Sequence, residues 1–234
     1  MKKRIWELDA FRGICILGMV VVHLLYDLTE LYRIVQWNPP DIYDFVKSWG
    51  GLLFLILSGL CATLGSKSVR RGLVVLGAGM IVSLVTYGMY HFGFAGKSII
   101  IYFGVLHCLG ICMILWPIFR KLPWYVLLIL GVILVAVGFH FKTITVESQY
   151  LFPFGLLYRG FSSSDYFPLL PNLGYFLLGG ALGKTLYRKK ESLLPALEGN
   201  ILLRPLCFLG RHSLWVYLLH QPILSGICML LAQK

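Results

Sequence analysis

Apolar residues run in seven long blocks along the 234 positions, at about 12–32, 49–65, 72–92, 99–119, 123–141, 168–187 and 211–232, with short polar or Gly/Pro-containing stretches between them. Most of these blocks approach the ~20 apolar residues that a helix needs to cross a bilayer. In hydrocarbon each backbone polar group must be satisfied within its own segment, which leaves helices as the simplest solution. The pattern predicts an all-α fold: a polytopic membrane helical bundle of about seven transmembrane helices. The expectation is a single integral-membrane domain over 1–234 and a multi-pass protein of the cell membrane. The block that follows Met-Lys-Lys-Arg is long, contains ionisable residues and lacks a small-x-small site before Tyr26. It reads as a helix that stays, not as a removed leader.

Polar residues inside the blocks change the picture from anchor to machine. The first block carries His23 and Asp27 four residues apart, the fourth carries His107 and the last carries His220. Such groups are costly in lipid and usually face a bundle interior or a water-filled cavity. Positions i and i+4 share a helix face, so Asp27 is placed to orient the His23 ring and leave its second nitrogen as a base. At ~1.5 Å rise per residue the three histidines fall at similar mid-depth. That suggests one polar site.

Composition agrees with lipid as the solvent: 58% of residues are hydrophobic and 13% charged, against ~25% charged in soluble domains. The formal charge is +11, and fifteen of the 21 Lys and Arg residues fall at alternate span ends, beginning with Lys2, Lys3, Arg4 and Arg12. The positive-inside rule puts those ends, and the N-terminus, in the cytoplasm. An odd number of spans then puts the C-terminus outside. Arg12, Arg70, Arg71 and Arg211 are candidates for a cytoplasmic polyanion site, because a guanidinium forks onto phosphate oxygens. Topology alone leaves Glu7 and Asp9, two acids among the basic residues, without a reason. No basic and aromatic recognition module lies outside the spans, so nucleic acid is not an expected partner. The six cysteines sit in or beside spans without metal-ligand spacing, and no metal or disulfide is expected.

Smaller signals concern packing. Ser58-Gly59 and Gly179-x-x-x-Gly183 allow close helix approach, and Pro222 is placed to kink the last span beside His220. Trp37-Asn-Pro-Pro-Asp41 reads as a rigid turn. The 142–167 stretch, rich in aromatic and hydroxyl residues, reads either as a substrate-facing lid or as a connector.

Arg4-x-x-x-Leu8-Asp9-x-x-Arg12-Gly13 followed by Met19 and Val-Val-Val-His23 resembles the opening helix of heparan-α-glucosaminide N-acetyltransferase-like membrane proteins. Phe54-Leu-Ile-Leu-Ser-Gly59, Gly104-Val-Leu-His107-Cys-Leu-Gly110 and Gly210-Arg-His-Ser-Leu-Trp-Val-Tyr-Leu-Leu-His220-Gln-Pro222 extend the resemblance in order, from Arg4 to Pro222. It implies transfer of an acetyl group from cytoplasmic acetyl-CoA to a sugar or glycan acceptor at the opposite face, with His23 acting near the acetyl group. The chain lacks the added extracellular domain of larger members, which leaves the acceptor open.

On this reading acetyl-CoA places its phosphates against Arg12, Arg70, Arg71 and Arg211. His23, oriented by Asp27, is a base or a transient acyl carrier, while His107 and His220 polarise the carbonyl or relay the proton. Amine and hydroxyl acceptors both remain open, as does a homodimer. The rival is a proton-coupled transporter or flippase of a lipid or sugar that uses the same histidines.

Overall fold

Glycines set the helix contacts that organise this computed structural model, which describes residues 4–36 and 40–232. Lys2, Lys3, Lys234 and residues 37–39 of the expected turn lie outside the described residues. Two compact units divide the chain: Met1–Phe54 with Lys189–Lys234, and Leu55–Arg188.

In the first unit, α1 (Trp6–Tyr26) runs into a widened π-helical segment, Asp27–Leu31. It packs against α7 (Arg204–Arg211) and α8 (Ser213–Ala232). The α1–α7 crossing is backbone on backbone: a Cβ added at Gly13 would collide with the Leu206 carbonyl, and one at Gly210 with that of Asp9. The acids in the first turn of α1 now have a reason. Glu7 accepts hydrogen bonds from the Ser192 hydroxyl (2.8 Å) and the Leu193 N–H (2.7 Å), and Trp6 Nε1 donates to the Leu194 carbonyl (3.1 Å). Asp9 lies between Arg4 (3.8 Å) and Arg12 (3.9 Å). Both acids also complement the positive end of the helix dipole.

The second unit takes the C-terminal part of α2 (Asp41–Leu64), then α3 (Ser68–His91), α4 (Val105–Phe119), α5 (Trp124–Phe141) and α6 (Leu169–Leu186). As the sequence suggested, Gly59 and Gly179 allow close approach. Each meets a carbonyl of the other helix, Phe176 and Ile56 respectively. Trp116 and Phe176, fully buried and edge to face at 6.0 Å, sit in the core with Leu55, Leu127 and Leu177. Outward positions such as Ile81 and Leu84 are apolar and exposed, as suits a surface wetted by lipid.

Among the described residues, five helices are long and apolar enough to cross a membrane: Trp6–Leu31, Ile42–Leu64, Ser68–His91, Trp124–Phe141 and Ser213–Ala232. Two expected spans differ. The 99–119 block yields only 15 helical residues, roughly 22 Å at 1.5 Å each, because Ile100–Gly104 stay outside the helix and Phe103 bridges Tyr166 in parallel. α6 spends its length on buried Pro171, Asn172, Gly174, Gly179, Gly180 and Gly183, and these residues pack helices while lowering apolarity. The linker before the last span also contains a short helix, α7, that hydropathy did not anticipate.

The 142–167 stretch is built, not loose. Strands β1 (Thr145–Val146) and β2 (Leu157–Tyr158) pair in parallel. Tyr166 donates to the Phe152 carbonyl (2.6 Å), and Asp165 accepts from the Val105 N–H (3.0 Å). That last bond satisfies one of the free donors at the start of α4.

Candidate active site

Two of the three predicted histidines meet on the seam between α1 and α8. The His23 and His220 ring centres are 4.9 Å apart, at 78°. Nδ1 of His23 lies 2.8 Å from the Met19 carbonyl, and Nδ1 of His220 is bonded to the Tyr217 carbonyl. A carbonyl only accepts, so each Nδ1 carries the proton and each Nε2 keeps its lone pair. Nε2 of His220 is buried with no hydrogen-bond partner among the described residues.

Asp27 is fully buried beside them. It was expected to hold the His23 ring, but its carboxylate instead accepts from Gln221 Nε2, at 3.1 Å to Oδ1 and 3.0 Å to Oδ2. The His23 tautomer is set by the carbonyl one turn back on its own helix, while the π segment that begins at Asp27 supplies the residue bonded to α8. Gln221 is the functional candidate that sequence reasoning passed over. Its signal was a second polar side chain next to His220 in an otherwise apolar span.

His107 has a different character. It is the third residue of α4, not a mid-helix residue. Its Nδ1 accepts from the Gly104 N–H (3.2 Å), so its Nε2 carries the proton, 3.3 Å from the Ser83 hydroxyl. The ring stacks on Phe103 at 5.6 Å and is buried. Both nitrogens are engaged in starting α4 and tying it to α3. His107 belongs to the second unit and His23 and His220 to the first.

The arginines also separate. Arg211, whose Nε donates to the Cys207 carbonyl (3.0 Å), lines a cleft of about 280 Å³ with Arg4, Arg204, Trp6, Asp9 and Asn200. Arg12 pairs with Asp9 and is not among that cleft's lining residues. Arg70 and Arg71 open α3 in the second unit, with Arg71 Nε donating to the Lys67 carbonyl (3.4 Å). Arg4 and Arg204, counted from sequence only as topology charges, are the additional cleft cations. Burial, with Asp9 adding to it, pushes the Cys207 thiol above its ordinary range. Among the described residues no three His, Cys, Asp or Glu side chains are grouped to hold a metal ion.

The family model described as heparan-alpha-glucosaminide N-acetyltransferase, catalytic, matches residues 4–222, from the cleft's Arg4 to the proline after Gln221. The chain belongs to this family. No curated protein and no solved structure matches it. It is thus a membrane acetyltransferase, acetyl-CoA-dependent and acting on nitrogen, as the family implies. The donor's chemistry fits what the first unit offers. Three guanidinium groups line the cleft of the first unit together with the Asp9 and Glu198 carboxylates, and farther along α1 His23 meets His220 of α8.

Proposed function

We propose that this acetyltransferase carries an acetyl group across the bilayer, from acetyl-CoA entering at the cytoplasmic face to a sugar-type acceptor at the other face. The chemistry is assigned to the α1–α8 seam. The observation that carries the reading is the meeting of His23 and His220, each with Nδ1 tied to its own helix and the Nε2 lone pair left free. Helix α1 links this pair to the arginine cleft. From Asp9 to His23 the helix climbs about 21 Å at 1.5 Å per residue, a reach suited to an extended pantetheine arm.

The acceptor's amine nitrogen attacks the thioester carbonyl carbon as His23 Nε2 takes its proton. The new C–N bond forms, the C–S bond breaks, and the departing CoA thiolate recovers a proton from the imidazolium. His220, edge-on to His23, accepts or relays charge. His107 acts at one remove, by holding the start of α4. The charge bias of the sequence supports a cytoplasmic N-terminus and seven crossings, with α4 and α6 as the two shorter ones, and an outward-facing 142–167 stretch.

The test is acetyl transfer by purified protein from labelled acetyl-CoA to glucosamine and to a hydroxyl acceptor. Wild-type protein should label the acceptor and His23→Ala should not. Equal labelling by both would refute the reading.

A further inference from the structure

We infer that the second unit binds an anionic phospholipid at the end where α3 begins and α6 stops, a site independent of the α1–α8 seam. The headgroup phosphate lies on Arg120 and Lys121, and the acyl chains run along α5 and α6. Glycine contacts gather the basic residues there. Gly72 of α3 lies against the Gly110 carbonyl and Ile114 of α4, Gly180 of α6 against the Trp116 ring, and Gly131 of α5 against Leu178 of α6. These contacts set the start of α3, the end of α4, the start of α5 and the end of α6 side by side. Arg70, Arg71, Arg120, Lys121, Lys184 and Arg188 therefore share one end of the unit.

That end carries no compensating negative charge of the unit's own. Lys184 Nζ donates to the Arg120 carbonyl (2.7 Å) and to that of Leu122, and Arg71 Nε donates to the Lys67 carbonyl. These bonds fix the turns but bring in no carboxylate. The unit has two carboxylates, Glu147 and Asp165, and both belong to the 142–167 stretch at the other end. Asp165 is bonded at the start of α4 and Arg120 follows its last residue, roughly 22 Å away at 1.5 Å per residue. That is more than twice the ~8–10 Å over which exposed charges act. Among the described residues none of the six cations is ion-paired.

A soluble phosphate would answer the charge alone. The surroundings call for a ligand that also has chains. Trp124 and Tyr125, edge to face at 5.9 Å, come just after Lys121 and are exposed, as are Ile118, Leu182 and Leu186. Tryptophan and tyrosine rings settle at headgroup level in a bilayer. Beyond them the face of α5 continues with exposed Leu128 and Ile129. A guanidinium and an ammonium above an apolar, aromatic-edged surface complement a phosphodiester above acyl chains.

Native mass spectrometry of the whole protein in detergent, supplied with equal amounts of phosphatidylglycerol and phosphatidylcholine, reads which lipid is retained. Wild type should prefer phosphatidylglycerol roughly 10-fold, within what two basic residues near an anionic headgroup can provide. Arg120→Gln/Lys121→Gln should lose that preference, and Lys97→Gln/Lys142→Gln, at the other end of the unit, should keep it. Equal retention of both lipids by wild type, or an unchanged preference in Arg120→Gln/Lys121→Gln, overturns the inference. A second measurement needs no variant. Phosphatidylglycerol should raise the melting temperature of the wild-type protein above its value in phosphatidylcholine, while glycerol 3-phosphate at the same concentration should not. Equal stabilisation by glycerol 3-phosphate would assign the cations to a soluble phosphate and overturn the lipid site.

Discussion

The imidazoles of His23 and His220 stand edge to face with their centres 4.9 Å apart, although they lie at opposite ends of the chain. Each ring is clamped through Nδ1 to a carbonyl of its own helix, which fixes the tautomer without the help of an acid. Removing His23 removes a base and little packing. His23→Ala is expected to lower kcat by about 10²–10⁴-fold, the usual worth of a general base, with acetyl-CoA affinity retained. Initial rates alongside equilibrium binding of the donor check this.

The cleft formed by Arg4, Arg204 and Arg211 has a separable signature. Arg204→Ala should raise the KM for acetyl-CoA about 10-fold, in keeping with ~1.5–3 kcal/mol for a hydrogen bond to a charged group, while leaving acetyl-pantetheine nearly unchanged. Equal losses for both donors would restrict these arginines to fixing topology.

His107 is expected to behave as a structural residue. Its nitrogens serve the Gly104 N–H and the Ser83 hydroxyl, so His107→Phe should cost about 0.5–2 kcal/mol, as for a lost helix cap. Activity per folded molecule should persist. Thermal unfolding in detergent, with activity normalised to the monodisperse fraction, separates the two effects. A loss of turnover in fully folded protein would return His107 to the chemistry.

Much of this was legible in the chain. Hydropathy located the helices because lipid-facing residues such as Leu84 must be apolar whatever they pack against, and it failed where residues pack against protein. The non-helical Ile100–Gly104 segment and the glycine-rich α6 read as spans on composition, but their details are set by partners distant in sequence, Tyr166 and α2 among them. The site followed the same rule. His23 and His220 stood out as costly residues in apolar helices. That Asp27 would turn to Gln221 depended on the π segment at the end of α1, which periodicity does not reveal. Glu7 likewise made sense only once residues 192–193 were seen against it.

The α1–α7 crossing should respond sharply to side-chain volume. Gly210→Val forces a side chain onto the Asp9 carbonyl and is expected to cost about 1–3 kcal/mol. It should also weaken acetyl-CoA binding, since α7 carries Arg204 and Arg211. Gly77→Ala, at a position with nothing within 4 Å of the added carbon, should leave stability unchanged or raise it. Paired melting curves for the two variants check the contrast.

The central claim is transfer between faces through the α1–α8 seam, and sealed vesicles test it most directly. Protein is reconstituted in one orientation, with glucosamine trapped on the face opposite the Arg4–Arg204 cleft and labelled acetyl-CoA added on the cleft's own face. The account predicts trapped N-acetylglucosamine that accumulates with wild type, is abolished by His23→Ala, and appears without movement of CoA across the membrane. Acetylation only when donor and acceptor share a face, or wild-type accumulation with His23→Ala, would contradict it.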